Sequence, residues 1–219
     1  MPTIVEQLQT EALATNIPVS TLLRKVKLVA TKLGLPHVND WVESELNGYE
    51  CKWGELPEYR KLNGNAVCYN PVRGWIPMHG PAAFIERVAR AYIYQSAPTL
   101  DALLAGKGQR LYLQMPEHIA EPIVAQMNYP FPRIGQELHR SQIVGLLERV
   151  RTMVLDWALE LERRGIVGSE IGFDETEKDR ARDKQINIHI GTIANFSASA
   201  SGDNARVSIG STDLSSNRK

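Results

Sequence analysis

The chain has 219 residues, with 25 Lys and Arg against 25 Asp and Glu, so its formal net charge at pH 7 is zero. Domains that bind nucleic acids usually carry a clear basic excess, so this balance does not support a nucleic-acid partner. The sequence contains no uninterrupted apolar run of the ~20 residues that cross a bilayer, and its first residues lack the basic start and apolar block of a secretory signal. A cytoplasmic protein that does not associate with membranes is therefore predicted.

Three short helices are predicted in the first 48 residues. Apolar residues recur at spacings of three and four over residues 19–33, and Gly34 follows them as a stop signal. The third helix contains Glu43 and Glu45, which point in different directions because residues two apart do not share a helix face. Both are interpreted as solvated side chains and not as a catalytic pair of carboxylates.

A β-hairpin is predicted to interrupt the helices. Two short β-prone runs flank Asn63-Gly64, a pair that favours a two-residue hairpin turn. Helical spacing returns in residues 80–95, residues 109–115 are typical of a strand, and a further helix is predicted for residues 116–127. The predicted fold class is α+β, a mainly helical N-terminal body with a small β-hairpin insertion, followed by a C-terminal β-hairpin tail.

The longest predicted helix covers residues 141–165. Its apolar positions alternate between spacings of four and three, which is typical of a core helix that crosses its neighbours at a shallow angle: Ile143, Leu147, Val150, Val154, Trp157 and Leu161. Beyond it, residues 174–185 are charged and almost free of large apolar side chains, which favours a solvated helical or flexible linker. The predicted organisation is a domain over residues 1–170, a charged linker over 171–185 and a β tail over 186–219.

The tail alternates apolar and polar residues with a period of two. A turn at Gly202-Asp203, or one residue later, pairs its two runs as a hairpin whose apolar residues face one another. A two-stranded ribbon so rich in alanine is marginal in water, so the tail is disordered, docked on its own body or assembled with copies of itself. Assembly is the preferred interpretation, and the large apolar residues of this oligomerisation element are Ile188, Ile190, Phe196, Val207 and Ile209.

No complete catalytic or metal-binding motif occurs in the sequence, so neither a cofactor nor a metal is predicted. The candidates for a catalytic site are Glu58, Tyr59 and Arg60, an acid, a phenol and a guanidinium that could bind an anion or position a water. The same side chains could instead form a charge network that braces a helix against the hairpin, and this interpretation is preferred. Trp75 is interpreted as a packing anchor, with ligand stacking as the alternative.

An ordered set of aromatic, acidic and glycine positions lies between residues 41 and 78. The segment WVESELNGYECKWGELPEYRKLNG, followed by RGWIPM, resembles the core motif of AbiTii domains, which occur in bacterial proteins of anti-phage abortive infection. The matching positions are Trp41, Glu45, Leu46, Gly48, Tyr49, Leu56, Pro57, Tyr59, Arg60, Gly64, Trp75 and Pro77. The resemblance covers roughly residues 1–170 and implies a cytoplasmic defence protein. It does not identify any catalytic residues.

Three functions are compatible with these observations. The first is an oligomeric interaction or effector subunit of a phage-defence system, which assembles through its tail and recognises a phage or defence-system protein. The alternative is a toxic enzyme, such as a nuclease, with a site around Tyr59 and Arg60. The third hypothesis is a simple antitoxin-like binder, which would require a toxin encoded beside it.

Overall fold

The computed structural model describes residues 2–127, 131, 133–169 and 172–183. Its helices are α1 (Ile4–Leu13), α2 (Val19–Leu33), α3 (Pro36–Asn47), α4 (Ala82–Ala89), α5 (Ala97–Ala105), α6 (Glu117–Met127), α7 (Arg140–Arg163) and α8 (Glu175–Asp183). Its strands are β1 (Lys61–Asn63), β2 (Asn65–Asn70), β3 (Gly74–Pro77), β4 (Arg90–Tyr92), β5 (Arg110–Gln114) and β6 (Ile134–His139), and a 3₁₀ turn covers Glu58–Arg60. The predicted α+β class is confirmed. The predicted tail over residues 186–219, with Ile188, Ile190, Phe196, Val207 and Ile209, lies outside the described residues.

The main core is formed by helices at the two ends of the described chain. α1, α2 and α5 pack against α7, and α3 packs against α2 and α5. The apolar residues that the spacing of α7 predicts as its seam are all buried. α2 ends at Gly34, whose φ of 70° lies in the left-handed region that favours glycine after a helix. Within the described residues, no helix is both long and apolar enough to span a membrane.

The strands form two antiparallel sheets. β1 pairs with β4, and the four-stranded sheet has the order β3-β2-β6-β5. In its register Tyr69 lies opposite Trp75, Val67 lies opposite Gly135, and Tyr112 lies opposite Glu137. The central strand β6 follows β2 by more than 60 residues of chain, so most of this sheet is built from contacts between distant segments.

The hairpin predicted at Asn63-Gly64 is wrong. Here the chain leaves the two-stranded sheet and enters the four-stranded one, and Gly64 lacks the positive φ that the predicted turn needs. Gly64 instead allows a close approach, because a Cβ at this position would lie 2.7 Å from the carbonyl oxygen of Glu137. The hairpin of this region is β2–β3, and the Asn70 carboxamide oxygen accepts hydrogen bonds from the N–H groups of its turn.

One face of the four-stranded sheet is covered by α4 and α6. The buried residues of this second core are Ala66, Cys68, Met78, Phe84, Val88, Ala120 and Ile134. Gln136, also on this face, donates a 2.7 Å hydrogen bond from Nε2 to the Val88 carbonyl and so ties β6 to α4. The residues that alternate with these point to the opposite, outer face of the sheet.

The charged segment before the tail forms α8, which packs against α2. Ala181 is fully buried at this contact. The Glu177 carboxylate accepts hydrogen bonds from the N–H groups of Val167 and Gly168, at 2.9 and 2.8 Å. The described part of this segment is therefore anchored to the helical body.

Candidate functional site

The short turn Glu58–Arg60 places its three side chains in different surroundings. Pro57 precedes the turn, and its carbonyl accepts a 2.9 Å hydrogen bond from the Arg60 N–H. Tyr59 and Arg60 are buried beneath α3, with Arg60 completely shielded from solvent. Glu58 instead is largely exposed and pairs with Lys61 at 2.6 Å. The structure therefore brings Tyr59 and Arg60 together and leaves Glu58 outside their cluster.

Arg60 forms a bidentate ion pair with Glu45 of α3. Its Nη2 lies 2.5 Å from Oε2 of the carboxylate, and its Nε donates to Oε1 at 3.1 Å. The remaining guanidinium nitrogen, Nη1, donates to the carbonyls of Ile93 and Gln95, at 3.0 and 2.6 Å. The ion pair thus joins α3, the 3₁₀ turn and the segment after β4.

The interpretation of Glu45 as a solvated residue is wrong, because its side chain has no exposed surface. The sequence contains a signal for this burial: Glu45 lies seven, four and three positions after Val38, Trp41 and Val42, all of which are buried. These four residues share one helix face. Glu43 lies on the opposite side, where its exposed carboxylate pairs with Lys27.

Two tyrosines and a tryptophan complete the buried cluster. The hydroxyls of Tyr49 and Tyr59 donate to Oε1 of Glu45 at 2.7 and 2.6 Å, and they lie 3.1 Å from each other. Trp41 donates from Nε1 to the Tyr59 hydroxyl at 2.9 Å, and the Arg60 guanidinium carbon lies 4.8 Å from the centre of the Tyr49 ring. Every charged group of the cluster therefore has several partners, as burial of an ion pair requires.

The electrostatics of the cluster favour neutral phenols beside a charged pair. Burial, followed by the negative charge of Glu45, raises the pKa values of Tyr49 and Tyr59 well above their ordinary range. Burial alone would lower the pKa of Arg60, but the adjacent carboxylate outweighs it and the pKa is raised. A phenol held in this way does not become a tyrosinate nucleophile or a general base near neutral pH.

Gly48 positions Tyr49 for this cluster. Its φ of 99° lies outside the range that side-chain-bearing residues usually adopt, and a Cβ there would lie 3.0 Å from the Tyr94 carbonyl oxygen. The same carbonyl accepts a 2.9 Å hydrogen bond from the Tyr49 N–H. The polar residues of the sequence motif, together with Gly48, therefore converge on one structural cluster, in which Trp41, Glu45, Tyr59 and Arg60 are buried and Tyr49 is half-buried.

Trp75 lies on the outer face of the four-stranded sheet, away from this cluster. Its ring stacks on Tyr112 of β5, with a centroid distance of 5.8 Å and an angle of 6° between the planes. Tyr69 meets Trp75 edge-on at 5.5 Å. Trp75 is half-buried and Tyr112 is 42% exposed, so the indole both packs across the sheet and forms part of an accessible aromatic surface.

A shallow depression lies between the α1–α2 loop, α5 and α7. Two of its charged side chains form hydrogen bonds: Asp101 accepts from the Ser20 N–H at 2.9 Å, and Arg151 donates to the carbonyls of Ala14 and Ile17, at 3.0 and 2.6 Å. These bonds hold the start of α2 onto α5 and the α1–α2 loop onto α7. In the part of the chain that the structure describes, no group of three or more His, Cys, Asp or Glu side chains is placed to hold a metal ion.

The protein is a mixed α+β body in which the polar residues of the sequence motif form the buried Glu45–Arg60 cluster. These residues stabilise the fold. Residues 3–186 match the AbiTii family model, and the chain belongs to this family. Membership of this family indicates a role in bacterial abortive infection, a form of antiviral defence. No curated protein and no solved structure was found to be similar.

Proposed function

We propose that this protein serves abortive-infection defence as an oligomeric interaction or effector subunit, which assembles through its C-terminal tail. The observation that carries the proposal is the complete burial of the charged pair of the family motif, Glu45 and Arg60. Side chains that are buried and paired in this way stabilise the body and cannot contact a substrate. The protein then acts through its surfaces and through the copies or partners that those surfaces recruit.

The proposed assembly rests on the alternation in residues 186–219. Ile188, Ile190, Phe196, Val207 and Ile209 share one face of the predicted hairpin, with Ile193 as an apolar exception on the other face. An isolated hairpin of this composition is too weak to fold alone. Pairing with other tails buries that face and satisfies the strand edges. α8 is consistent with this proposal because it packs against α2 and so holds the described chain on the body as far as residue 183.

The assembly is tested by light scattering of the full chain and of two matched double variants. Phe196→Asp with Ile209→Asp places charges on the apolar face, whereas Ser197→Asp with Ser208→Asp places the same charges on the polar face. We expect the first variant, and a chain stopped at Gln185, to be monomeric, and the second to keep the subunit count of the unmodified protein. An equal subunit count in all four proteins contradicts assembly through the tail.

The role in defence is tested by phage yield in bacteria that express the same proteins. Loss of protection with the apolar-face variant alone supports an oligomeric subunit. The alternative function, a toxic enzyme that uses Tyr59 and Arg60, makes a different prediction: Arg60→Ala abolishes toxicity while the protein stays folded. The burial of Arg60 instead favours loss of the fold in this variant.

A further inference from the structure

The outer face of the four-stranded sheet carries a connected set of aromatic side chains. Tyr69 of β2, Trp75 of β3 and Tyr112 of β5 contact one another in sequence, and we refer to these three residues as the aromatic platform. β3 and β5 are the two outermost strands of the sheet, about 14 Å apart at the usual strand spacing. The rings of Trp75 and Tyr112 therefore lean towards each other across β2 and β6.

Two paired residues of the central strands lie on the same face of the sheet as the platform. Gly135 of β6 has no side chain, and its register partner Val67 is only 1% exposed although it points to the outer face. Tyr112 has one ring face against Trp75 and remains 42% exposed, which leaves its other ring face accessible to a planar ligand. The described residues of the chain place no helix of the body over this platform, in contrast to the inner face under α4 and α6.

Arginines surround the aromatic platform. The guanidinium carbon of Arg133 lies 4.4 Å from the centre of the Tyr69 ring, and this side chain also donates to Oε1 of Gln114 at 2.8 and 3.2 Å. Arg110 is largely exposed at the other end of β5, 3.4 Å from the mostly buried carboxylate of Glu137. Arg73 is exposed in the β2–β3 turn.

The local charge of this face differs from that of the whole chain. No Asp or Glu occurs in residues 59–85 or in residues 102–116, which supply β1, β2, β3 and β5. β6 contributes the single carboxylate of Glu137, whose side chain is only 18% exposed. A formal net charge of zero for the chain thus coexists with a positive sheet face, and local charge is what attracts a polyanion.

We propose that this face binds single-stranded nucleic acid, with bases stacked on the aromatic platform and phosphates held by Arg73, Arg110 and Arg133. Single-strand binders combine aromatic rings, on which any base can stack, with cationic side chains that follow the backbone. A duplex fits less well because its bases are already stacked and paired inside the helix. This site is independent of the tail, so it does not rest on the proposed assembly.

The direct test is fluorescence anisotropy of labelled oligonucleotides of about 12 nucleotides, a length within the usual site size of such sheets. The probes are oligouridine, oligothymidine and a duplex of the same length, titrated with the full chain at several salt concentrations. We expect both single strands to bind more tightly than the duplex. The ratio of the two single-strand affinities then tells whether the site prefers RNA or DNA.

Variants of the platform and its arginines locate the site. Tyr112→Ala should weaken single-strand binding at least about fivefold, while Tyr112→Trp, which keeps a ring for stacking, should retain it. Arg133→Gln should reduce the slope of log affinity against log salt by about 0.7, the value for one phosphate contact on a single strand. The matched controls are Trp53→Ala and Arg149→Gln, which remove an exposed aromatic ring and an exposed arginine elsewhere and should leave the affinity unchanged.

Two binding results would overturn the proposal. One is the absence of single-strand binding at low salt by a folded full chain, as judged by circular dichroism. The other is equal weakening by Tyr112→Ala and by the Trp53→Ala control, which would mean that any binding occurs elsewhere. If the platform variants change only the subunit count in light scattering, the face is a protein contact and the proposal is wrong, whereas the tail proposal is judged by its own variants.

Discussion

Glu45 and Arg60 form an ion pair in which neither side chain has any exposed surface, and the pair joins α3 to the turn that precedes β1. Both carboxylate oxygens and all three guanidinium nitrogens have hydrogen-bond partners within the cluster or the adjoining backbone. Removal of either partner leaves the other charge buried without compensation. The pair is therefore a requirement of the fold, because an unpaired charge in this position costs far more than a surface charge does.

Arg60→Ala and Glu45→Ala are each expected to lower the free energy of unfolding by about 3–5 kcal/mol. Urea denaturation followed by circular dichroism measures this loss. Glu43→Ala is the matched control, because Glu43 lies on the same helix but forms an exposed ion pair, and it should change the stability little. An Arg60→Ala protein with unchanged stability would contradict this account of the cluster and would reopen the enzymatic alternative.

Tyr59, which is buried, and Tyr49, which is half-buried, predict a loss of stability at alkaline pH. The pKa values of Tyr49 and Tyr59 are raised in the folded protein, first by burial and then by the Glu45 carboxylate, whereas in the unfolded chain both ionise near pH 10. Above that pH the unfolded state releases protons that the folded state keeps. The contribution of these two tyrosines to the free energy of unfolding should therefore be constant below pH 10. It should fall as the pH rises above 10.

This alkaline effect is measured by urea denaturation at a series of pH values above 9. Tyrosinate absorbance, followed in parallel, should show two tyrosines that ionise only when the protein unfolds. The double variant Tyr49→Phe with Tyr59→Phe should be less stable at neutral pH, since it removes two hydrogen bonds to Glu45, but its stability should depend less on pH in this range. The same pH dependence in both proteins would assign the effect to other groups.

The parts of this fold that could be predicted from the sequence are those set by local spacing. α2 and α7 follow from apolar residues three and four apart, and each ends at or near a glycine with positive φ, Gly34 and Gly165. The sheet could not be predicted in this way, because β2 finds its partner β6 more than 60 residues later. The wrong hairpin prediction has the same cause. Asn63-Gly64 has the composition of a turn, but position 64 requires a glycine because Glu137, from a distant strand, approaches it closely.

The site was predictable in part. The motif indicates Tyr59 and Arg60, which the structure brings together with Glu45 in one hydrogen-bonded network that excludes Glu58. The spacing of two between Glu43 and Glu45 separates their faces but does not tell which of the two is buried; the apolar residues of α3 place Glu45 on the buried face. The aromatic platform could not be predicted, since Tyr69, Trp75 and Tyr112 come together only when β2, β3 and β5 enter one sheet.

Gly135 tests the packing of β5 against β6. A Cβ at this position would lie 2.3 Å from the Leu113 carbonyl oxygen, so Gly135→Ala must displace one strand from the other. We expect this variant to lose about 1–3 kcal/mol of unfolding free energy. Thermal denaturation of the variant beside the unmodified protein measures the loss.

Gly145→Ala is the matched control for Gly135→Ala. Gly145 is exposed within α7, and a Cβ there would meet no atom within 4 Å. Because alanine restricts the unfolded chain and favours helix, this variant should gain about 0.4–1 kcal/mol. Opposite signs for the two glycines support the strand contact, and a neutral Gly135→Ala would show that β5 and β6 can separate without cost.

Glu177 connects α8 to the rest of the body. Its carboxylate accepts from the N–H groups of Val167 and Gly168 in the loop after α7, and also from the N–H of Asp174 at 3.0 Å. The Asp174 carboxylate in turn accepts from the Glu177 N–H at 2.8 Å, so the two residues cap the start of α8 reciprocally. Loss of this carboxylate would leave several N–H groups without their acceptor.

Glu177→Ala is therefore expected to cost about 1–3 kcal/mol locally and to release α8 from α2. Trypsin should then cleave more rapidly after Lys178, Arg180 and Arg182, while the rest of the body remains resistant. Glu175→Ala is the control, because Glu175 is an exposed residue of the same helix whose carboxylate contacts only Lys178 among the described side chains. Equal cleavage rates in the two variants would show that α8 is held by its apolar contact through Ala181 and not by the Glu177 carboxylate.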